Sequence, residues 1–347
     1  MQMKWRRIRF LVLAAVALLL AGHGLLVHLL AGRLEAGFAD WAAQRRAQGW
    51  QVAHGAIQAD GWPFTARIAV PDLRLKAPSV VLAGGFALWA DRAEIAIRLP
   101  RIDRLAIDLP GMNRLSLPDL DLPFVADLIR LTIPLAPGEP TRAGSLAAEQ
   151  LRVGTPRGAS VIGQLAIEVA ASSTATEAEA ALAFRLRAER VELPPGLPPP
   201  APAFGRRLER LLLEGELSGP VPAGRGTTAR AEAWREGGGT LRLLAARLAW
   251  GPITAETTAT LSLDEALQPM GAGRLRLGGA GPAIDALAES GLIGRRAATT
   301  ARAMLPLLPR AEAEPDMIDL PLAIEDRTLR LARIPLARFA PLGWPAP

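Results

Sequence analysis

The sequence predicts a mainly β protein with minor α content: an N-terminal transmembrane helix, then a large curved antiparallel sheet with a helical pair near the C-terminus. Three observations carry that expectation. One apolar stretch near the N-terminus is long enough to cross a bilayer. Most of the remaining chain alternates apolar and polar residues with a period of two. Pro and Gly punctuate the alternating runs with no long helical pattern between them, which disfavours a doubly wound α/β fold.

The first element is Phe10 to Ala31, a run without formal charge that is rich in Leu, Ala and Val. As a helix it spans a hydrocarbon core of roughly 30 Å. Basic residues precede it, so the N-terminus stays cytoplasmic and the bulk of the chain lies across the membrane. A cleaved signal peptide is the rival reading, with Leu20-Ala21-Gly22 as a loose cleavage site. Leu25-Leu26-Val27 prolongs the apolar run past that point and favours an uncleaved anchor. His23 and His28 are expected as neutral imidazoles toward the outer interface. Beyond the span, Leu34, Phe38 and Trp41 recur at i, i+4 and i+7. They predict an amphipathic helix that stops at Gly49 and caps the following sheet, with a stripe lying on the bilayer as the alternative.

From Gln51 to about Leu193 the strands read clearly, as in Arg67-Ile68-Ala69-Val70 and Arg104-Leu105-Ala106-Ile107-Asp108-Leu109. Connections such as Leu99-Pro100 and Leu109-Pro110-Gly111 suit an antiparallel meander. Leu193 to Ala203 reads LPPGLPPPAPA, a polyproline segment and the best candidate boundary. The chain therefore divides into an anchor (1–32), a first β-rich region with its amphipathic helix (33–193), a Pro-rich crossing (194–203) and a second β-rich region (204–347). In the last, Leu208 to Leu217 predicts a strand and Thr227 to Arg235 a short helix. Thr240 to Trp250 and Thr254 to Leu263 form a hairpin around Gly251-Pro252. Helical periodicity returns at about 282–308, and Met317 to Ile334 closes with a hairpin.

Composition excludes several chemistries. Among 347 residues there is no Cys and no Tyr, and His occurs three times. Disulfides, zinc ribbons, iron–sulfur ligation and thiol catalysis are removed. The net charge is +6, but Lys4, Arg6, Arg7 and Arg9 precede the first acidic residue, Glu35. Without those four, 36 basic residues face 34 acidic ones, a balance of +2. The remaining Arg alternates with Asp and Glu along the strands, whereas a nucleic-acid face would gather basic residues on one element. No nucleic acid partner is expected.

A set of motifs is more specific. Early in the chain stand Gly49-Trp50, Gly55 and Gly61-Trp62-Pro63-Phe64. Later come Trp234-Arg235 with Gly237-Gly238-Gly239, Trp250-Gly251-Pro252, Leu263-Asp264, Leu267-Gln268-Pro269 and Ile334-Pro335-Leu336. Together they resemble an uncharacterised bacterial family named domain of unknown function 2125. That resemblance implies no activity and no catalytic residue. By architecture alone, the anchor followed by amphipathic strands is similar to AsmA-type envelope proteins, which implies phospholipid handling by greasy β-grooves. The motif residues themselves read as structural, with Gly before Trp letting the indole cover a sheet end; a Trp-lined ligand site is the alternative.

The remaining candidates are weak. His54, with Asp60 six residues on, lacks any nucleophile elbow. Asp119 with Asp121, and Glu177 with Glu179, share strand faces and could serve acid–base work, though wet strand faces explain them. Gly278-Gly279-Ala280-Gly281 precedes a helix without a Walker lysine. Arg206, Arg207, Arg210, Arg295 and Arg296 could meet phospholipid headgroups. The expectation is a non-enzymatic protein without metal or cofactor, anchored in the bacterial inner membrane with its bulk in the periplasm. It would serve envelope maintenance or lipid handling, with a scaffold for another envelope protein as the alternative and a carboxylate hydrolase a distant third.

Overall fold

The computed structural model describes residues 2–78, 85–135, 143–172, 174–176, 179–198, 201–219, 227–311, 316–331 and 334–344. The chain opens with one continuous helix, α1 (Gln2–Ala47). The membrane-length run and the amphipathic run are thus a single rod, about 70 Å long at 1.5 Å per residue. It ends before Gly49, whose φ of +84° is the left-handed conformation that Gly adopts without strain. Its two halves differ. Phe10 to Gly22 is exposed throughout. Val27, Ala31, Leu34, Phe38 and Ala42 are buried along one side, at spacings that keep them on one helical face.

The chain after α1 folds into one antiparallel sheet. β1 (Gln51–Ala53) and β2 (Gln58–Asp60) both pair with β3 (Thr65–Ala77), which pairs with β4 (Phe86–Arg98). β5 (Arg104–Asp108) and β6 (Asn113–Leu117) then lie along different parts of β4, both antiparallel to it. Leu109-Pro110-Gly111 therefore interrupts a strand position and does not reverse the chain, contrary to the reading of that Pro-Gly pair as a turn. Asn113 supplies the reason. Its buried side chain donates to the carbonyls of Gly111 (3.1 Å) and Leu109 (3.4 Å), holding the break together. A second interruption follows in the next position, where β7 (Leu120–Val125) pairs with β6, β8 (Leu128–Pro134) pairs with β5, and both meet β9 (Ala143–Thr155).

From β9 the sheet is a plain meander. β10 (Gly158–Ala171), β11 (Ala180–Glu192), β12 (Arg207–Ser218), β13 (Leu241–Trp250), β14 (Ile253–Leu263) and β15 (Pro269–Gly278) each pair with the next. β16 (Ile318–Glu325), β17 (Thr328–Leu331) and β18 (Ile334–Arg338) continue it. The Pro-rich residues 194–203 connect β11 to β12, which pair directly, so the two β-rich regions share one sheet. Within that connection α2 (Ala201–Phe204) forms a single turn. α3 (Thr227–Glu236) lies between β12 and β13. α4 (Ala280–Glu289) and α5 (Arg295–Met304) form the helical pair between β15 and β16.

Packing is concentrated at one end. Val27, Leu34 and Phe38 of α1 join Ala66, Ile68, Val70 and Leu73 of β3 and Ala90, Ala93, Ile95 and Ile97 of β4 in one apolar cluster. Leu105, Ile107 and Leu109, on and beside β5, mark its rim. The amphipathic stripe thus caps the sheet, as its spacing predicts. α1 and β3 run in the same direction: His23 sits by Phe64 at the start of β3, whereas Arg45 lies over Trp50 beside β1, which pairs with the far end of β3.

Candidate functional site

The strand registers align residues that sequence alone could not bring together. Ile68, Ile95, Ile107, Leu131, Leu146, Ile167, Leu186 and Leu213 are successive cross-strand neighbours from β3 to β12. Ala246, Thr257, Leu275 and Leu320 carry the row on to β16. Eleven steps at about 4.8 Å make an aliphatic stripe on the order of 50 Å long on one face. A second row, Ile129, Ala148, Leu165, Ala188, Leu211 and Leu248, lies on the same face two residues away.

The opposite face is charged. Arg130 there binds Asp108 through two contacts of 2.7 Å. Arg185 bridges Glu168 (3.6 Å) and Glu214 (2.6 Å), and Arg247 meets Glu256 at 2.8 Å. The hydrogen bonds to Asp108 and its negative charge push the Arg130 guanidinium's pKa up, against the opposing effect of partial burial. The two faces also differ in enclosure. Ala148 and Ala188 on the apolar face are 2% and 4% exposed, whereas Ala147 and Ala166 on the charged face are exposed. Around β9 to β11 the apolar side is therefore the more sheltered one, whereas Ala96 and Leu212 on the other face are 7% and 8% exposed.

Packing along that side is uneven: α1 closes one end, and Leu320 at the other end of the row is 7% exposed. Ile68 is 0% and Ile95 7% exposed. Beyond the rim of the cluster, Leu131, Leu146, Ile167, Leu186 and Leu213 are half-buried. Burial of apolar area stabilises by roughly 25 cal/mol per Å², so a long half-open aliphatic face is an unfilled opportunity for an apolar ligand or partner.

The sequence-selected residues are placed as follows. Trp50 packs edge-on against Phe86, with ring centroids 5.7 Å apart. Trp234 donates its Nε1–H to the Ser218 carbonyl (2.9 Å), and Gly239 lies against its ring so closely that a Cβ would sit 2.2 Å away. Gly238, at φ +71°, ends α3. Trp250 donates to the Gly205 carbonyl (2.8 Å) and packs on Phe204. Gly251, at φ +53°, approaches the Phe204 carbonyl where a Cβ would meet it at 2.3 Å, and Pro252 follows in the same turn. Gly61 makes a similar approach to the Thr65 carbonyl. Pro335 sits on β18 opposite Arg330, at a register shift. Trp62 differs from the others. It covers no sheet end: it is 59% exposed and leans over Gly24 of α1, at the foot of β3.

Asp264 and Pro269 flank a hub that sequence reasoning missed. Asp264 accepts the Gln268 amide N–H at 2.8 Å, with Leu267 at φ +56° between them. Gln268 is buried; its side chain accepts the Leu342 N–H (2.8 Å) and donates to the Leu342 and Ala266 carbonyls. Trp344 donates to the Leu267 carbonyl, and Arg235 of α3 reaches the Glu265 carbonyl. This one turn therefore fastens α3 and the C-terminal tail. The only sequence signal was an apolar-Gln-Pro triplet.

The chemical candidates separate. His54 bonds the Gly55 carbonyl and packs on Phe38, while Asp60 pairs with Arg67 at 2.6 Å. Asp119 lies in the turn between β6 and β7, so it does not share a strand face with Asp121, which takes hydrogen bonds from Arg114 and Ser116. Glu177 lies outside the described residues, and Glu179 sits before β11, capping the Thr176 N–H, so that pair is not on a strand face either. Among the described residues, no cluster of three potential metal ligands occurs. Arg206 donates to the Leu193 carbonyl and Arg207 pairs with Glu209. Gly279, at φ +73°, is pressed against the Pro252 carbonyl, so the glycine run before α4 meets a packing demand. A cavity of about 560 Å³ opens on the charged face around Glu168, Arg185 and Glu214.

The chain belongs to an uncharacterised bacterial family, DUF2125, whose model matches residues 28–340. No curated protein and no solved structure matches it. α1 holds the one described helix long and apolar enough to span a membrane, near the N-terminus, consistent with a single-pass anchor.

Proposed function

We propose that this member of the DUF2125 family works from the outer side of the bacterial inner membrane, handling an acyl chain or phospholipid in maintenance of the envelope. Four basic residues ahead of the span favour a cytoplasmic N-terminus. The observation that carries the reading is the aliphatic stripe. It is far longer than the roughly 15 Å of one bilayer leaflet's hydrocarbon, and α1 packs over one end of it only. In this reading the protein needs no cofactor and performs no bond chemistry: it offers shelter to a chain that water rejects.

Native mass spectrometry of the full chain, released gently from its membrane, tests this. Bound phospholipid is expected on the wild type and its loss on Leu186→Asp with Leu213→Asp. Absence of lipid on the wild type, or its full retention on the double variant, refutes the reading. A second reading, a scaffold for another envelope protein, draws support from β18. Among the described residues β18 pairs only with β17, so its outer edge offers backbone groups to a partner strand. Crosslinking from β18 to a protein in cells would favour that alternative.

A further inference from the structure

The foot of the sheet carries a small apolar cluster whose position is fixed by α1. Trp62 and Phe64 are 59% and 67% exposed, and Ile102 is 58% exposed. They are neighbours: Phe64 accepts the Leu99 N–H at 2.8 Å, and Ile102 follows three residues later. Trp62 and Phe64 both face His23, with ring centroids 5.5 and 6.0 Å away. The level of this cluster on the helix is therefore known.

Helix length then decides where the bilayer reaches. Phe10 to Gly22, the stretch before the first contact with the loop, spans only about 20 Å. A hydrocarbon core of about 30 Å requires roughly 20 residues, which from Phe10 runs to about Leu29. Leu25, Leu26 and Leu29 on that extension are exposed, and Arg33 is the next charged residue. The outer part of the hydrocarbon thus overlaps the level of His23 and the loop beside it.

The loop's backbone fits such a place. Unpaired carbonyls are costly in lipid. The Pro63 carbonyl accepts from His23 Nε2, Pro63 has no N–H, the Phe64 carbonyl is taken by Leu99, and Gly61 N–H goes to Asp60. Asp60 is itself paired with Arg67. Exposed Arg98 and Arg101 precede Ile102, where anionic headgroups would lie, and Asp103 after it pairs with Arg104.

We infer that the Trp62-Pro63-Phe64 loop and Ile102 are seated in the outer leaflet of the bilayer that α1 spans, so that the sheet stands directly on the lipid surface. This rests on α1 being a membrane span. The chain has no Cys, so single-cysteine variants take one probe each. Full-length Phe64→Cys, Ile102→Cys, Leu18→Cys and Ser160→Cys, each labelled with an environment-sensitive fluorophore, are reconstituted in phosphatidylcholine–phosphatidylglycerol vesicles with spin-labelled lipid as quencher. Probes at 18, 64 and 102 are expected to be blue-shifted and to lose most of their emission, and the probe at 160 to keep it. Quenching at 18 but not at 64 and 102 overturns the seated loop and leaves the anchor intact. No quenching at 18 overturns the anchor and the inference with it. Phe64 and Ile102 lie on different connections, so misfolding of one variant leaves the other to decide.

Discussion

Ile68 and Leu186 occupy the same aliphatic row, and truncating each to Ala removes three carbons. The structure predicts very different costs. Ile68 is fully enclosed between α1 and β4, so Ile68→Ala loses transfer energy and leaves a cavity, about 3–4 kcal/mol in all. Leu186 is half-buried on an open face. At about 0.8 kcal/mol per buried carbon, with half of that recovered and no enclosed void, Leu186→Ala costs about 1 kcal/mol. Because opening is local, the assay is amide hydrogen exchange read by mass spectrometry on the detergent-solubilised chain. Peptides from β3 and β4 are expected to exchange roughly two to three orders of magnitude faster in Ile68→Ala, and those from β10 to β12 about fivefold faster in Leu186→Ala. Equal acceleration would mean that the far end of the row is as tightly packed as the near end. The apolar face would then be closed along its length and offer nothing to a ligand.

Gly239→Ala drives a Cβ into the Trp234 ring, whereas Gly238→Ala meets nothing and bears only the left-handed backbone penalty of about 1–2 kcal/mol. Thermal denaturation should rank the first as the more damaging of these neighbours. Acid should weaken the foot and rim of the sheet. The Asp60 carboxyl is held below the usual range by the Gly61 N–H and Arg67, and Asp72 by the Trp89 indole N–H and Arg74. A carboxyl depressed in the folded state contributes stability above its unfolded pKa of about 4, and that contribution is lost as pH falls through the folded value. The double variant Asp60→Asn, Asp72→Asn should therefore show a flatter melting profile below about pH 4 than the wild type.

Local physics made much of the fold legible. Period-two alternation and Pro-Gly punctuation located the hairpin at Gly251-Pro252 and the closing hairpin, and helical periodicity the helical pair, because each depends on residues close in sequence. The frame of the strands was less readable. Gln150 and Arg190 hold φ of +50° and +53° within β9 and β11, on either side of Gly163 in β10. Neither is a residue type that announces a left-handed backbone, so the shift of alternation there has no local sign. The interrupted positions β5/β6 and β7/β8 were hidden for another reason. The first break is held by a buried amide, Asn113, acting within an ordinary-looking Pro-Gly segment, and the second follows because β7 and β8 pair with β6 and β5. The aliphatic stripe lay beyond reach altogether. Each member was visible as an inward residue of its strand, but the row exists only once a dozen registers are fixed.

From β10 to β17 each strand pairs with just two others, and among the described residues no layer of helices is stacked across the whole series. Such an architecture grows by extension and not by thickening. Inserting one more hairpin between β14 and β15 would lengthen the greasy track by about 10 Å while leaving each existing pairing but one untouched. Reach is therefore a quantity that evolution or an engineer can dial in steps of two strands, with α1 and its packed base unchanged.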